Sequence, residues 1–443
     1  MTFDDLNLNG PLRNALEELG YEFPTPIQEK CFSIIMSGRN VIGFAQTGTG
    51  KTFAYLLPIL MQHSYTEQKA PSVLILVPTR ELVLQVVGEI EKLAKYITLR
   101  VAGVYGGANI NTQRQTVIEG LDVLVATPGR LLDLILDGSL KVKYVKKLVI
   151  DEADEMLNLG FRAQILNLLD TLPKKRQNIL FSATMSDEVD TLIQEYFDDP
   201  HKIEIVPHGT PLEQIEQKAY YVPNYFTKVH LLEHLLQTDE DMSKVLVFAA
   251  NKKLCDRIYD TLQPKFMDSI GVLHSNKSQN FRINSLKKFH ANEYRIMIST
   301  DIMARGLDIA EVTHVINFDT PDVPGDYIHR IGRSGRAEKS GIAISFVNEA
   351  ERDFKAAIED LMHKKITMLE MPQEVEISNK FTDEERPNLG DKNYLKKASI
   401  KHSKGAFHEK KAKNTKVNLG GLKAKALEKH KHKTGKINKR GMK

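Results

Sequence analysis

The segment Ala45-Gln46-Thr47-Gly48-Thr49-Gly50-Lys51-Thr52 constrains this chain more than any other. The apolar run Asn40-Val41-Ile42-Gly43-Phe44 before it reads as a buried strand, and the periodic stretch Thr52-Phe53-Ala54-Tyr55-Leu56-Leu57 after it reads as a helix. A glycine-rich turn between strand and helix that closes on Gly-Lys-Thr is the setting of a phosphate-binding loop. Glycines let backbone N–H groups crowd around a polyphosphate, while the following helix points its positive end at it. Lys51 would reach the β- and γ-phosphates, and the Thr52 hydroxyl would help to hold Mg²⁺. Ala45 stands where the common pattern has its first glycine, a change of one methyl group. The pattern predicts a nucleotide site.

Upstream, Gly20-Tyr21-Glu22-Phe23-Pro24-Thr25-Pro26-Ile27-Gln28 holds two prolines that fix the backbone around Thr25. The Gln28 amide can both donate and accept, as adenine N6 and N7 require of a reader. Downstream, apolar strands alternate with helices in the α/β manner. Strands at 72–77, 101–105 and 122–126 end in Pro78-Thr79-Arg80-Glu81-Leu82, Gly106-Gly107 and Thr127-Pro128-Gly129-Arg130. In open α/β sheets ligands bind beyond the carboxyl ends of the strands. Hydroxyls, glycine N–H groups and arginines suit phosphate oxygens there, although each such turn could equally be a helix cap. Lys147-Leu148-Val149-Ile150 runs into Asp151-Glu152-Ala153-Asp154, an apolar strand ending in acid. Beside a phosphate loop, Asp151 can hold Mg²⁺ and Glu152 can deprotonate an attacking water. Ser182-Ala183-Thr184 closes a further strand.

Val206-Pro207-His208-Gly209-Thr210-Pro211 breaks the pattern and reads as an interdomain linker. A second α/β series follows. Its strand Lys244-Val245-Leu246-Val247-Phe248 resembles the one before the phosphate loop but leads to Ala249-Ala250-Asn251, with no Gly-Lys-Thr. Two similar folds with one nucleotide loop imply a second lobe that closes on the ATP of the first. Arg330, Arg333 and Arg336 recur every three residues in Tyr327–Arg336 and would face broadly one side of a helical turn. A guanidinium reaching a γ-phosphate across a domain gap is an arginine finger, worth roughly 10³–10⁵ in rate.

In this order and spacing the motifs resemble the DEAD-box ATP-dependent RNA helicases of superfamily 2, bacterial type, and residues 151–154 spell the name. The resemblance covers residues 1–365 and implies an α/β fold of two tandem RecA-like parallel-sheet domains. It implies domains at 1–206 and 213–370 joined by a linker at 207–212; residues 371–443, which it does not cover, read from their composition as a Lys-rich tail. It places Phe3 near the adenine, Gln28 as its reader, and Ala45 to Thr52 around the phosphates. Lys51, Asp151, Glu152 and the fingers Arg333 and Arg336 are the implied catalytic residues. Thr52 and Asp151 are the implied Mg²⁺ residues, and Asp308 contacts the ribose. Ser182 and Thr184 would couple hydrolysis to RNA through Asp154, to which His329 links. Thr79, Arg80, Gly107, Thr127, Arg130, Gln279, Arg282 and Thr300 would lie along an RNA backbone. Ser275, in His274-Ser275-Asn276, stands where the family usually has glycine.

The net charge of +4 conceals an asymmetry: residues 387–443 carry 18 Lys and Arg against 3 Asp and Glu, and residues 1–386 carry 43 against 54. Such basic tails commonly bind nucleic acid, the alternative being a merely solvated tail. From Pro372 on there is no sustained apolar period, so a disordered segment is expected. The start of the chain has no basic n-region and no apolar core, which argues against a secretory signal. With two cysteines, Cys31 and Cys255, a reduced cytoplasmic setting and packing roles are expected.

The expected function is ATP-dependent RNA binding between two lobes with local unwinding of short duplexes, by a monomer using ATP and Mg²⁺. An ATP-gated RNA clamp or scaffold with little strand separation is the alternative. A GTPase is disfavoured because no Asn-Lys-x-Asp motif occurs. Ribosome assembly or RNA turnover supplies the partners by family analogy.

Overall fold

In the computed structural model, residues 2–45, 48–205, 215–301, 312–334 and 341–385 are described. The chain divides into two units, residues 1–385 and 386–443, and the second lies outside the described residues. The first unit holds two lobes, each built on a seven-stranded parallel sheet.

In the first lobe the strands are β1 (Val41–Phe44), β2 (Val73–Leu76), β3 (Val101–Val104), β4 (Val123–Ala126), β5 (Lys147–Ile150), β6 (Gln177–Ser182) and β7 (His201–Glu204). They lie side by side in the order β3-β4-β2-β5-β6-β1-β7. In the second lobe they are β8 (Ile215–Tyr221), β9 (Val245–Phe248), β10 (Ile270–Leu273), β11 (Ile296–Ser299), β12 (His314–Asn317), β13 (Gly341–Val347) and β14 (Thr367–Leu369). Their order is β10-β11-β9-β12-β13-β8-β14, the same permutation seven strands later. Central strands such as β2, β4 and β9 are buried along their whole length, because helices cover both faces of a parallel sheet. In the first lobe two apolar cores result, one containing Ile27, Tyr55 and Phe181, the other Leu74, Leu148 and Leu180. In the first lobe β5, β6 and β1 are neighbours, which brings Gly-Lys-Thr, the acids after β5 and the hydroxyls after β6 together at the carboxyl ends of the strands.

Cys31 and Cys255 are buried free thiols, the packing residues expected of them. Among the described residues no helix is long and apolar enough to cross a membrane. The linker 207–212 and the motif residues Gln46, Thr47, Asp308 and Arg336 lie outside the described residues.

Composition assigned residues 371–385 to the tail, and there the structure corrects it. Val375 is buried in the second lobe's core. Ser378 accepts from Asn224 Nδ2 at 2.5 Å through its carbonyl and donates its N–H to Thr227 Oγ1 at 3.0 Å. The Glu385 carboxylate accepts from Tyr225 N at 2.6 Å, at the start of the helix Tyr225–Thr238. An N-terminal N–H of that helix has no intrahelical partner, and the carboxylate supplies one. The segment is held by one buried apolar residue and by polar contacts to a helix end, so no apolar period announces it.

Candidate nucleotide and RNA site

The strand β1 delivers the phosphate loop. Gly48 and Gly50 have φ of +81° and +88°, and Gly50 caps the helix Lys51–Met61. A Cβ on Gly50 would lie 2.4 Å from Gln28 Nε2, so this position needs glycine for its backbone and for its space. Ala45 is buried and its N–H pairs with the Ser182 carbonyl at 3.1 Å, so the methyl group costs the loop no hydrogen bond.

A cavity of about 300 Å³ opens above the loop, lined at one end by Phe3, Tyr21, Phe23 and Gln28 and at the other by Lys51, Thr52, Asp151, Glu152 and Arg333. The Lys51 ammonium is buried with no hydrogen-bond partner, which fits an anion held in this cavity. Arg333 comes from the second lobe and is 2% exposed. Its charge acts on Glu152, so both lobes contribute to one cavity.

Burial pushes the Glu152 carboxyl up to about 7, against the pull of Lys51 and Arg333 and with the push of Asp151. Burial likewise raises Asp151. A carboxyl poised near neutrality is suited to accept a proton from water. Glu152 has φ +53°, left-handed for a residue with a side chain, at the turn into the helix Ala153–Asn158. Asp151 Oδ1 accepts from Glu152 N at 3.0 Å and Oδ2 accepts from the Tyr55 hydroxyl at 3.0 Å. Burial and the Asp151 charge raise the Tyr55 phenol well above its ordinary value, so it remains a donor.

The Gln28 amide is already engaged: Oε1 accepts from Thr25 N at 2.9 Å and Nε2 donates to the Gly50 carbonyl at 3.1 Å. It lines the cavity while tying the proline turn to the phosphate loop. Asp154 Oδ2 accepts from Thr184 N at 2.9 Å, Thr184 Oγ1 at 2.8 Å and Ala183 N at 3.2 Å. The Ser182 hydroxyl donates to the Thr184 carbonyl at 2.7 Å. The acids after β5 and the hydroxyls after β6 are therefore one network. His329 lies half-buried in the last turn of the helix Pro324–Ile331.

Several positions matched to RNA contacts are engaged within the protein. Thr79 Oγ1 caps the helix Arg80–Leu93 by accepting from Leu82 N at 3.2 Å, the cap that its sequence equally allowed. Arg130 is buried and donates to Gln113 Oε1 at 2.5 Å and to the Ala108 carbonyl at 3.1 Å, which braces the loop after β3. The Arg80 guanidinium covers Gly107, where a Cβ would meet it at 2.5 Å and φ is +80°. Thr127 begins the helix Pro128–Leu136. Arg282 Nη1 lies 2.8 Å from Glu81 Oε1, both side chains being 4% exposed. Gln279 donates to the same oxygen at 3.3 Å and accepts from Arg282. Gln279 and Arg282 thus join the second lobe to Glu81 of the first. Removing one member of such a buried pair costs about 3–5 kcal/mol.

Arg330 separates from Arg333. Its guanidinium holds both Asp301 oxygens at 2.5 and 2.8 Å, donates to Asn317 and to the Asp319 carbonyl, and stacks on Phe248. Its helix turns it into the lobe, whereas Arg333 lies beyond the helix end. Thr300 lines a second cavity of about 460 Å³ with Asn158, Asn251 and Lys252, drawn from both lobes. Ser275 does not have a positive φ, so the turn after His274 does not call for glycine. Sequence reasoning missed Tyr21, Phe23, Tyr55, Glu81 and Gln113. Three aromatics within three residues of Pro24 or inside the loop helix carried a local signal, but the partners of Glu81 and Gln113 did not.

A family model described as DEAD/DEAH box helicase matches residues 25–192, and one described as helicase conserved C-terminal domain matches residues 227–338. An ATP-dependent RNA helicase CshA of Limosilactobacillus reuteri is 39% identical over 84% of this chain and 74% of its own. An ATP-dependent RNA helicase RhlB of Shewanella piezotolerans is 37% identical over 82% and 84%. Among solved structures, S. cerevisiae Dbp5 bound to RNA and ADP BeF3 superposes with a TM-score of 0.75 at 29% identity, covering 84% of this chain and 95% of that one. With its motifs in place on two parallel sheets, the chain belongs to the bacterial-type DEAD-box RNA helicases.

Proposed function

We propose that this chain is an ATP-dependent RNA helicase that holds RNA across two lobes and parts short duplexes through cycles of ATP hydrolysis. The observation that carries the reading is the composite cavity, with Arg333 of the second lobe beside Lys51, Asp151 and Glu152 of the first. Hydrolysis in such a site requires the lobes to be together. RNA enters the reading from the names of the relatives and from the RNA-bound neighbour.

In this reading the Phe3 and Gln28 end takes the base, and Lys51 neutralises the β- and γ-phosphates. Glu152 takes the proton of the attacking water, and Arg333 stabilises charge on the transferred phosphoryl group. Asp151 and Thr52 offer a carboxylate and a hydroxyl, hard oxygen donors of the number Mg²⁺ takes from protein when phosphates complete its shell. Bound there, the ion would neutralise phosphate charge. Asp154 passes the state of the acids to Thr184 and so to the RNA side.

The test measures ATP turnover with and without RNA, and strand separation on short and long duplexes. RNA should raise turnover, short duplexes should part only with ATP, and Lys51→Ala should abolish both. Turnover indifferent to RNA would overturn the reading, and RNA-stimulated turnover without strand separation would establish the clamp instead.

Residues 386–443 carry the basic excess, and the reading assigns them sequence-independent attraction of phosphate. Each phosphate contact they supply contributes about 0.7 to the slope of log K against log salt for single strands. Truncation after Arg386 should weaken RNA binding at low salt and flatten that slope, with turnover at saturating RNA nearly unchanged. Superimposable salt series for the two chains would remove RNA attraction from the tail.

A further inference from the structure

The loop helix Lys51–Met61 is apolar along its buried face, and Tyr55 stands there with a hydroxyl inside the core. Its side chain is 0% exposed, and its ring packs on Phe181 with centroids 5.7 Å apart. Phe181 in turn fills the space over Gly43, where a Cβ would lie 2.4 Å from the ring. These contacts set the ring, and hence the position of the hydroxyl. That hydroxyl donates to Asp151 Oδ2 at 3.0 Å, and Thr52 stands three residues before Tyr55 on the same helix. Asp151 Oδ1 is held from the other side by Glu152 N. A single buried phenol therefore holds the carboxylate to which the proposed function gives the Mg²⁺ ion.

We propose that Tyr55 is a positioning residue of the metal site: its hydroxyl sets the orientation of the Asp151 carboxylate, and thereby the affinity for Mg²⁺ with nucleotide. A buried carboxylate at the end of a strand has rotational freedom about its terminal bond, and two donors, one on each oxygen, remove it. Outer-shell partners of this kind typically govern metal affinity by about 10- to 100-fold. The phosphate loop does not pass through Tyr55, so affinity for nucleotide without metal is independent of the hydroxyl.

The inference rests on the reading of Thr52 and Asp151 given above, and one titration separates the two. In the full chain, binding of a fluorescent ATP analogue is measured in EDTA and across a Mg²⁺ series, for the wild type and Tyr55→Phe. The variant deletes one oxygen and keeps the ring that packs on Phe181. The expected result is equal affinity in EDTA and a Mg²⁺ midpoint raised about 10-fold in the variant. In an Asp151→Asn background, Tyr55→Phe should shift the midpoint little further, because the main group it orients is already altered. Superimposable Mg²⁺ series overturn the inference and leave Tyr55 a core residue. Weaker binding in EDTA with an unshifted midpoint also overturns it, by showing damage to the phosphate loop. A wild type whose nucleotide affinity ignores Mg²⁺ would instead overturn the metal assignment itself.

Discussion

Glu152→Gln should lower RNA-stimulated ATP hydrolysis by at least about 10²-fold while nucleotide and RNA still bind. The glutamine keeps the shape of a side chain that lines the cavity at a left-handed turn, so the backbone φ of +53° is not further taxed. What it loses is the ability to accept a proton, for which burial has poised the carboxyl at about 7. Because Lys51 and Arg333 remain, the variant should stay on RNA with ATP uncleaved, and release should slow with hydrolysis. Single-turnover hydrolysis and RNA dissociation, measured together, test both halves. Near wild-type hydrolysis would mean that another group takes the proton.

Arg333→Ala should lower RNA-stimulated turnover by roughly 10³-fold, the lower end of what an arginine finger contributes. The side chain is 2% exposed, lies in the cavity and comes from the second lobe. ATP binding to the loop of the first lobe should be preserved, since Lys51 and Gly50 are untouched. The decisive comparison is therefore kcat against nucleotide affinity in the same variant. Normal turnover would rule out closure on the γ-phosphate through this residue. Arg330, three residues earlier, serves as a contrast: its ion pair with Asp301 and its stacking on Phe248 predict loss of stability of the second lobe rather than loss of transition-state contact.

Much of the site was legible because phosphate chemistry is local. A strand, a glycine turn and a helix start lie within about a dozen residues, and each demands its own residue types. The strands were also legible: continuous apolar runs such as 73–76 and 148–150 suit strands buried on both faces. The alternation of strand and helix predicted the α/β class, and the repeat of the pattern without a second Gly-Lys-Thr predicted two lobes sharing one nucleotide. Val375 and Ser378 were not legible, because their anchors are an apolar core and two polar side chains, Asn224 and Thr227, about 150 residues away in sequence.

The sequence by itself determined the kinds of chemistry this protein carries and the order in which they come along the chain. Only the tertiary structure decided which of those groups face a ligand and which hold one another. Tyr55 meets Asp151 across 96 residues and Gln279 meets Glu81 across 198, contacts specified by the common strand order of the sheets and by the packing of the lobes. The physical reason is that a motif records donors and acceptors, whereas the partner each one finds depends on long-range burial. Once water is excluded, the nearest complementary group must satisfy the charge or the hydrogen bond. Arg282, Arg130 and Arg330 read alike as cations in sequence, and burial gives each its own partner in Glu81, Gln113 and Asp301, whereas Arg333 lines the cavity with Lys51 and Glu152.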